Sequence, residues 1–272
     1  MGYLILAIIS SAMVSLVMRL SEKHISGKRS MLAVNYVMCC VMAAIDSGVS
    51  KGSGLTIGMG VINGVLYLAG FMLLQTNVQK NGVVLSATFM KLGLLVPMVL
   101  SIVAFHEFPS VVQILGFLVA VVAILLINFE KGQTNARFKI GLILLLLAGG
   151  GGDAMSKVFE EIGPAAFSGQ FLFYTFLTAC ILCFACVVWK KEKIGAKEFL
   201  FGLLIGIPNY FSARFLLWAL KELKAVIVYP IYSVATLLVI TLVGVCAFKE
   251  RLSKKQCIGL IFIMISLILL NM

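Results

Sequence analysis

The chain has 272 residues, of which 61% are hydrophobic and 12% charged, and its net charge is +11. Its mean hydropathy of +1.10 and its low charge content exclude a soluble domain, in which about a quarter of the residues are charged. Apolar runs long enough to span a bilayer, about 17–25 residues each, recur along the sequence. We therefore predict an all-α polytopic membrane protein whose loops are too short to form a nucleic-acid interface.

Ten transmembrane helices joined by short loops are predicted. In chain order they cover residues 2–18, 31–48, 56–77, 82–104, 111–129, 139–157, 166–189, 199–219, 225–247 and 256–272. No Lys or Arg precedes the first apolar run, so this run is expected to remain as a span and not to be cleaved as a signal peptide.

One segment of the sequence occurs twice. Phe105–Gly116 returns as Phe248–Gly259, with identical Phe, Glu, Ser, Gln and Gly at one constant offset. Ser followed three residues later by Gln, ahead of an apolar run, predicts a capping box at a helix N-terminus. The Glu before each Ser is expected near the positive end of that helix dipole. The segment therefore predicts two capped helix entries in a tandem repeat.

The repeat predicts an inverted topology. Predicted helices three to five align with helices eight to ten, and helices one and two align more loosely with six and seven. Residues 1–130 and 139–272 then form two halves of five spans each. Because five is odd, the second half enters the membrane from the opposite face, which is the architecture of transporters that open alternately to either side.

The basic residues are distributed unequally between the two faces. Loops after predicted helices one, three, five, seven and nine hold 16 Lys and Arg residues, whereas the other face holds four, namely Lys51, Lys157, Lys221 and Lys224. Basic residues of short loops stay on the cytoplasmic side. The bias predicts a multi-pass protein of the cell membrane with both termini outside the cytoplasm.

The repeated pattern Phe-x-Glu-x-x-Ser-x-x-Gln-x-x-Gly, the five-plus-five spans and the length resemble the drug/metabolite transporter superfamily, in particular ten-helix EamA-type transporters. Halves of those proteins carry an acidic turn before the last helix and a Gly inside it, as Glu107, Glu250, Gly116 and Gly259 do here. The residue before each Glu is His or Lys here, where the family typically has Gly. The resemblance implies two EamA-like halves, and it implies cytoplasmic termini, opposite to the charge count.

Lys91 is the clearest candidate for a functional residue. It lies near the middle of the fourth predicted helix, between apolar residues, with Pro97 six residues further on. An ionisable group inside a span is costly and usually functional. The resemblance implies that this helix borders the central cavity, so Lys91 would contact cargo or a counter-ion; the alternative is a structural ion pair with another span.

Asp153 follows the four glycines Gly149–Gly152 in the sixth predicted helix. This run lacks the Gly-Lys-Ser/Thr ending of a phosphate-binding loop, so no nucleotide cofactor is predicted, and no metal site is predicted either. Asp153 is expected to pair with Lys91, to titrate as a proton-coupling group, or to pair with Lys157 on its own helix.

Arg214 is the third charged candidate. If its side chain points inward, Lys91 and Arg214 together favour an anionic or zwitterionic cargo; alternatively, Arg214 snorkels to the surface. Uncharged groups that complete the predicted site are Asn63, Tyr67, Asn209 and Tyr232, with Asn35, Tyr36, Tyr210 and Tyr229 as further candidates. Each of them is alternatively an interhelical hydrogen-bonding residue.

These features predict a secondary active transporter of small metabolites, monomeric or homodimeric, that works by alternating access as a proton-coupled or exchanging exporter. One alternative is a flippase for a phosphate-bearing lipid held by Lys91 and Arg214. Another is a membrane enzyme acting on lipid, which is disfavoured because the two histidines, His24 and His106, are predicted on opposite sides of the membrane and an active site needs clustered groups. We expect no enzymatic activity.

Overall fold

The computed structural model describes residues 1–22, 24–47, 53–81, 83–128, 139–248 and 253–272. Within these ranges the regular structure consists of α-helices and two short 3₁₀ turns, with no β-strand, which confirms the all-α class. Several predicted features lie outside the described residues, namely Lys23, Lys51, Lys131, Arg137, Lys249, Glu250 and Arg251.

The helices follow one another with short connections. They are α1 Gly2–Ser21, α2 Lys28–Ser47, α3 Gly54–Asn81, α4 Val83–Lys91, α5 Leu95–Phe105, α6 Val111–Asn128, α7 Lys139–Ile162, α8 Ser168–Trp189, α9 Ala196–Glu222, α10 Ala225–Phe248 and α11 Lys254–Leu270. In the described part of the chain, eight helical stretches are long and apolar enough to cross a membrane, and α6 adds a shorter apolar helix. The chain is a multi-pass membrane protein.

The fourth predicted helix is present as one apolar helical stretch, Ser86–Phe105, long enough to cross a membrane, and it contains a 3₁₀ turn that the sequence did not predict. It consists of α4 and α5, separated by the 3₁₀ turn Leu92–Leu94 directly after Lys91. Pro97 has no N–H to donate to the carbonyl of Gly93 four residues earlier, and Gly is a poor helix former. The 3₁₀ turn therefore follows from the local sequence, and the described ranges contain ten helices when α4 and α5 are counted as one.

Both predicted capping boxes are confirmed. In each, the backbone N–H of Ser donates to the Gln side chain at 2.9 Å, and the backbone N–H of Gln donates to the Ser hydroxyl, at 3.2 Å for Ser110 and 3.3 Å for Ser253. The carboxylate of Glu107 accepts a hydrogen bond of 3.3 Å from the N–H of Val226 at the start of α10.

The chain divides into two compact units. The first unit contains Met1–Leu68 and Met155–Glu222, and the second contains Ala69–Ala154 and Leu223–Met272. In the first, α2 packs on α8 and α9, and α1 packs on α9; in the second, α6 packs on α11, and α10 packs on α5. Each unit thus combines helices from both predicted halves.

Large apolar side chains are exposed in both units. Ile45 of the first unit is 76% exposed and Val103 of the second is 70% exposed. In a membrane these apolar side chains would contact lipid acyl chains. Contacts between membrane helices rely instead on close packing and hydrogen bonds.

Candidate functional site

The second unit contains a pair of opposite charges inside its spans. Lys91 is the last residue of α4 and Asp153 lies in α7, and both side chains are half-buried. They lie close enough for their charges to attract each other. The structure therefore brings together two residues that are far apart in the sequence.

A close approach between two backbones positions this pair. A Cβ atom at Gly150 of α7 would lie 2.1 Å from the carbonyl oxygen of Gly93 in the 3₁₀ turn, and one at Gly93 would lie 2.9 Å from the nitrogen of Gly150. Only glycine fits at such a distance, as at other close helix contacts in membranes. Gly149–Gly152 thus lets α7 pack directly against the turn that follows Lys91.

The α10 helix holds the backbone beside Asp153. The hydroxyl of Tyr229, which is 1% exposed, donates a hydrogen bond of 2.6 Å to the main-chain carbonyl of Asp153. The predicted cargo contact Tyr232 lies one turn further along α10 and is half-buried. Lys91, Asp153 and Tyr232 all belong to the second unit.

Lys157, the alternative partner of Asp153, has carboxylate partners on its own helix. Its ammonium lies 3.2 Å from Glu160 and also pairs with Glu161. The side chain of Lys157 is 2% exposed, so these carboxylates compensate a buried charge.

Arg214 belongs to the first unit, where it is already engaged. Its guanidinium lies 2.8 Å from the carboxylate of Asp46, donates a hydrogen bond of 2.9 Å to Ser168, and lies 4.8 Å from the ring centre of Trp218. The side chain is 11% exposed. Asp46 and Ser168 are the partners that the sequence did not indicate, because both lie on other helices near helix ends.

The predicted candidates Asn35, Asn63 and Asn209 of the first unit take part in two hydrogen-bonded groups. Asn35, Cys39 and Asn209 form one group, and Asn63 and Thr175 form the other. We call these five residues the polar layer. The side-chain amide of Asn209 donates a hydrogen bond of 3.1 Å to the side-chain oxygen of Asn35. The Asn63 amide donates to the Thr175 hydroxyl at 3.4 Å. Each of these residues lies well inside its helix, away from the helix ends.

Two polar atoms of this layer are buried with unused hydrogen-bonding capacity. Asn35 is 1% exposed and Asn63 is fully buried, yet the Asn35 amide nitrogen and the Asn63 amide oxygen have no hydrogen-bond partner among the described residues. A buried polar atom without a partner costs about 1–3 kcal/mol. Such atoms in a native structure are candidates for contacts with water or ligand.

Aromatic rings lie beside the polar layer. The ring of Phe176 lies 6.5 Å from that of Tyr36, 6.1 Å from that of Tyr67 and 6.4 Å from that of Tyr210. Tyr67 is half-buried, whereas Tyr36 and Tyr210 are buried. Thr175 and Phe176, which connect these groups, sit in an apolar run of α8 where no sequence signal marks them.

Residues 139–272 match the EamA-like transporter family. An uncharacterized protein of Haemophilus influenzae is 24% identical over 279 residues, covering 96% of this chain and 94% of that protein. A solved crystal structure of a protein with 13% identity superposes with a TM-score of 0.74, covering all of this chain and 98% of the other. The family match confirms the predicted resemblance, and the crystal structure shows a shared fold.

Proposed function

We propose that this membrane protein is a secondary active transporter of small metabolites that works by alternating access. Residues 139–272 match the EamA-like transporter family. This match is the observation that carries the proposal, since members of the family are transporters. The multi-pass helical architecture is the one such transport requires.

Many alternating-access transporters consist of two halves of inverted topology, and the packing of α2 and α8 supports this arrangement. The Cys183 thiol, late in α8, lies 3.6 Å from the carbonyl oxygen of Arg29, early in α2. The Gln170 amide, early in α8, donates a hydrogen bond of 3.3 Å to the carbonyl of Ser47, at the end of α2. The two helices, second in their predicted halves, therefore run antiparallel.

Glycine pairs on the third helix of each half support the same topology. A Cβ atom at Gly60 of α3 would lie 2.7 Å from Tyr174 of α8, and one at Gly64 would lie 2.6 Å from Thr178. Close contact thus joins the third helix of the first half to the second helix of the other half.

The converse contact has the same geometry. A Cβ atom at Gly202 of α9 would lie 2.6 Å from Val34 of α2, and one at Gly206 would lie 2.5 Å from Met38. The two contacted positions of α2 precede those of α8 by one common offset, and the two glycines of α3 precede those of α9 by another. Reciprocal contacts of this kind are expected from a two-fold relation between halves.

The second unit repeats the pattern. A Cβ atom at Gly116 of α6 would lie 3.1 Å from Leu270 of α11, and one at Gly259 of α11 would lie 2.5 Å from Ile127 of α6. The two glycines are separated by the offset of the repeated segment, and so are Ile127 and Leu270. The glycine of the repeated segment thus makes the equivalent close contact in both copies, as an inverted repeat would.

We assign cargo contacts in the first unit to the polar layer and to Tyr67. The unused amide nitrogen of Asn35 and amide oxygen of Asn63 offer one donor and one acceptor in a buried setting, where a hydrogen bond discriminates strongly between cargoes. Arg214 remains a predicted cargo contact, and its pairing with Asp46 means that an anionic cargo must compete with that carboxylate.

In the second unit we assign the coupling role to Asp153 and a cargo role to Lys91 and Tyr232. When Asp153 is ionised it attracts the ammonium of Lys91. Protonation of Asp153 releases Lys91 for an anionic group of the cargo, and loss of the proton restores the original pair. This sequence of events couples cargo movement to protons and fits an anionic or zwitterionic metabolite. In this proposal the basic loops face the cytoplasm. The cargo is carried out of the cell.

Purified protein in liposomes tests the proposal. Vesicles are loaded with a panel of amino acids, organic acids and nucleosides, and efflux is followed with and without a pH gradient. Saturable flux of at least one compound above protein-free vesicles is expected. Absence of flux at every pH, together with phospholipid transfer between leaflets, would favour the flippase alternative instead.

A further inference from the structure

The turn between α8 and α9 carries a basic and aromatic surface that is not part of the cargo and coupling sites proposed above. Trp189 ends α8 and is 83% exposed, and the lysines that follow it are all exposed. We call this surface the lysine turn, defined as Trp189, Lys190, Lys191, Lys193 and Lys197.

The two carboxylates of this stretch are engaged elsewhere. Glu192 pairs with Arg29 of α2. Glu198 accepts hydrogen bonds from the backbone N–H groups of Ser26 at 3.0 Å and Gly27 at 3.3 Å, in the turn between α1 and α2. Both acidic groups thus serve to hold the two turns of the first unit together, and the four lysines give the lysine turn a net positive charge.

Backbone hydrogen bonds fix the shape of the lysine turn. The N–H of Lys191 donates to Val188 at 3.1 Å, and that of Glu192 donates to Val187 at 3.1 Å. Lys191 itself adopts a left-handed conformation with φ of 50°. This is the pattern of a helix C-terminus closed by a left-handed residue, so the lysines are presented from a defined turn.

Apolar groups accompany the cations. The ammonium of Lys190 lies 5.9 Å from the centre of the Trp189 ring, and the nearby side chains of Ile194 and Phe199 are 44% and 53% exposed. Trp is enriched where membrane and water meet, and Lys near the ends of spans extends to the charged headgroups. Binding of a soluble anion would not require these exposed apolar side chains.

We propose that the lysine turn is a binding site for the headgroups of anionic phospholipids. The phosphates would lie between the ammonium groups, and the Trp189 ring and Ile194 would reach the adjacent acyl region. Each basic residue near an anionic leaflet favours binding by about fivefold. The site requires neither the proposed transport activity nor a particular orientation of the chain.

Tryptophan quenching by brominated lipid tests this site directly. The sequence has two Trp residues, so Trp218→Phe leaves Trp189 as the reporter. This variant is reconstituted in phosphatidylcholine bilayers with a small, equal fraction of either acyl-brominated phosphatidylglycerol or acyl-brominated phosphatidylcholine. We expect stronger quenching by the anionic lipid. Adding Lys190→Gln and Lys191→Gln should lower this selectivity by about 25-fold.

Lys221→Gln with Lys224→Gln, added to the same reporter, removes the same charge from exposed residues near the end of α9 and should leave the selectivity unchanged. Salt should weaken the selectivity by screening, which gives a second measurement if the lysine variant folds poorly. Equal quenching by both lipids in the reporter, or full selectivity in the lysine variant, would overturn the proposal. Loss of selectivity on adding soluble polyphosphate would show a site for soluble anions instead.

Discussion

Replacing Gly150 with alanine tests whether the close contact between α7 and the 3₁₀ turn stabilises the fold. A Cβ atom at Gly150 would lie 2.1 Å from the oxygen and 2.8 Å from the carbon of the Gly93 carbonyl, and 2.7 Å from a methyl carbon of Val96. Favourable contacts between carbon atoms begin at about 3.5 Å, so α7 and the 3₁₀ turn must separate by more than an ångström. The carbonyl is backbone and cannot rotate away.

The expected cost of Gly150→Ala is about 1–3 kcal/mol, the range for overpacked cores. The neighbouring Gly149 provides a matched control, since a Cβ atom there would meet its first contact, Met90, at 3.9 Å. Gly149→Ala should therefore stabilise α7 by up to about 1 kcal/mol through helix propensity. The two variants have the same composition and should differ by about 1–4 kcal/mol.

Thermal unfolding in detergent, followed by the loss of the monodisperse peak in size-exclusion chromatography, measures this difference. Gly149→Ala should unfold at or above the temperature of the wild type, and Gly150→Ala several degrees below it. Equal midpoints for the two variants would mean that α7 does not approach Gly93 closely, and the positioning of Asp153 beside Lys91 would lose its structural basis.

Three further predictions concern charged and polar contacts. Asp153→Asn should abolish the response of flux to a pH gradient while cargo still exchanges, because the group that carries the proton is removed; flux that still follows the gradient would exclude Asp153 from coupling. Arg214→Met should destabilise the protein by about 3 kcal/mol, since Asp46 is left partly buried without its partner, and Arg214→Met with Asp46→Leu should recover most of the loss in a thermal-shift assay; no recovery would show that the pair does not act as a unit. Asn35→Leu should raise the half-saturating cargo concentration about 2- to 10-fold, as expected for one hydrogen bond, whereas Ser15→Ala in α1, whose hydroxyl donates to the main-chain carbonyl of Ser11 on its own helix, should leave it unchanged in the same assay.

The sequence by itself determined the membrane class and the local chemistry of helix entries. Hydropathy can be read from each span by itself. The Ser and Gln of a capping box lie only three residues apart, so Ser110 and Ser253 could be assigned as helix N-caps without knowledge of the fold. The sequence also singled out Lys91, Asp153 and Arg214, because an ionisable residue in an apolar run is conspicuous wherever the helix lies. The 3₁₀ turn after Lys91 was not predicted, although the two residues that cause it, Gly93 and Pro97, are present in the sequence.

Only the tertiary structure decided which side chains meet. Arg214 pairs with Asp46, which lies on a helix far away in the sequence, and the Asn63 amide reaches Thr175, which no periodicity distinguishes from its apolar neighbours. The spacing of residues along a helix fixes the face on which a side chain lies. The partner on that face depends on which helices pack together and at what height, and these are set by close contacts such as Gly93 with Gly150, between residues far apart in the chain.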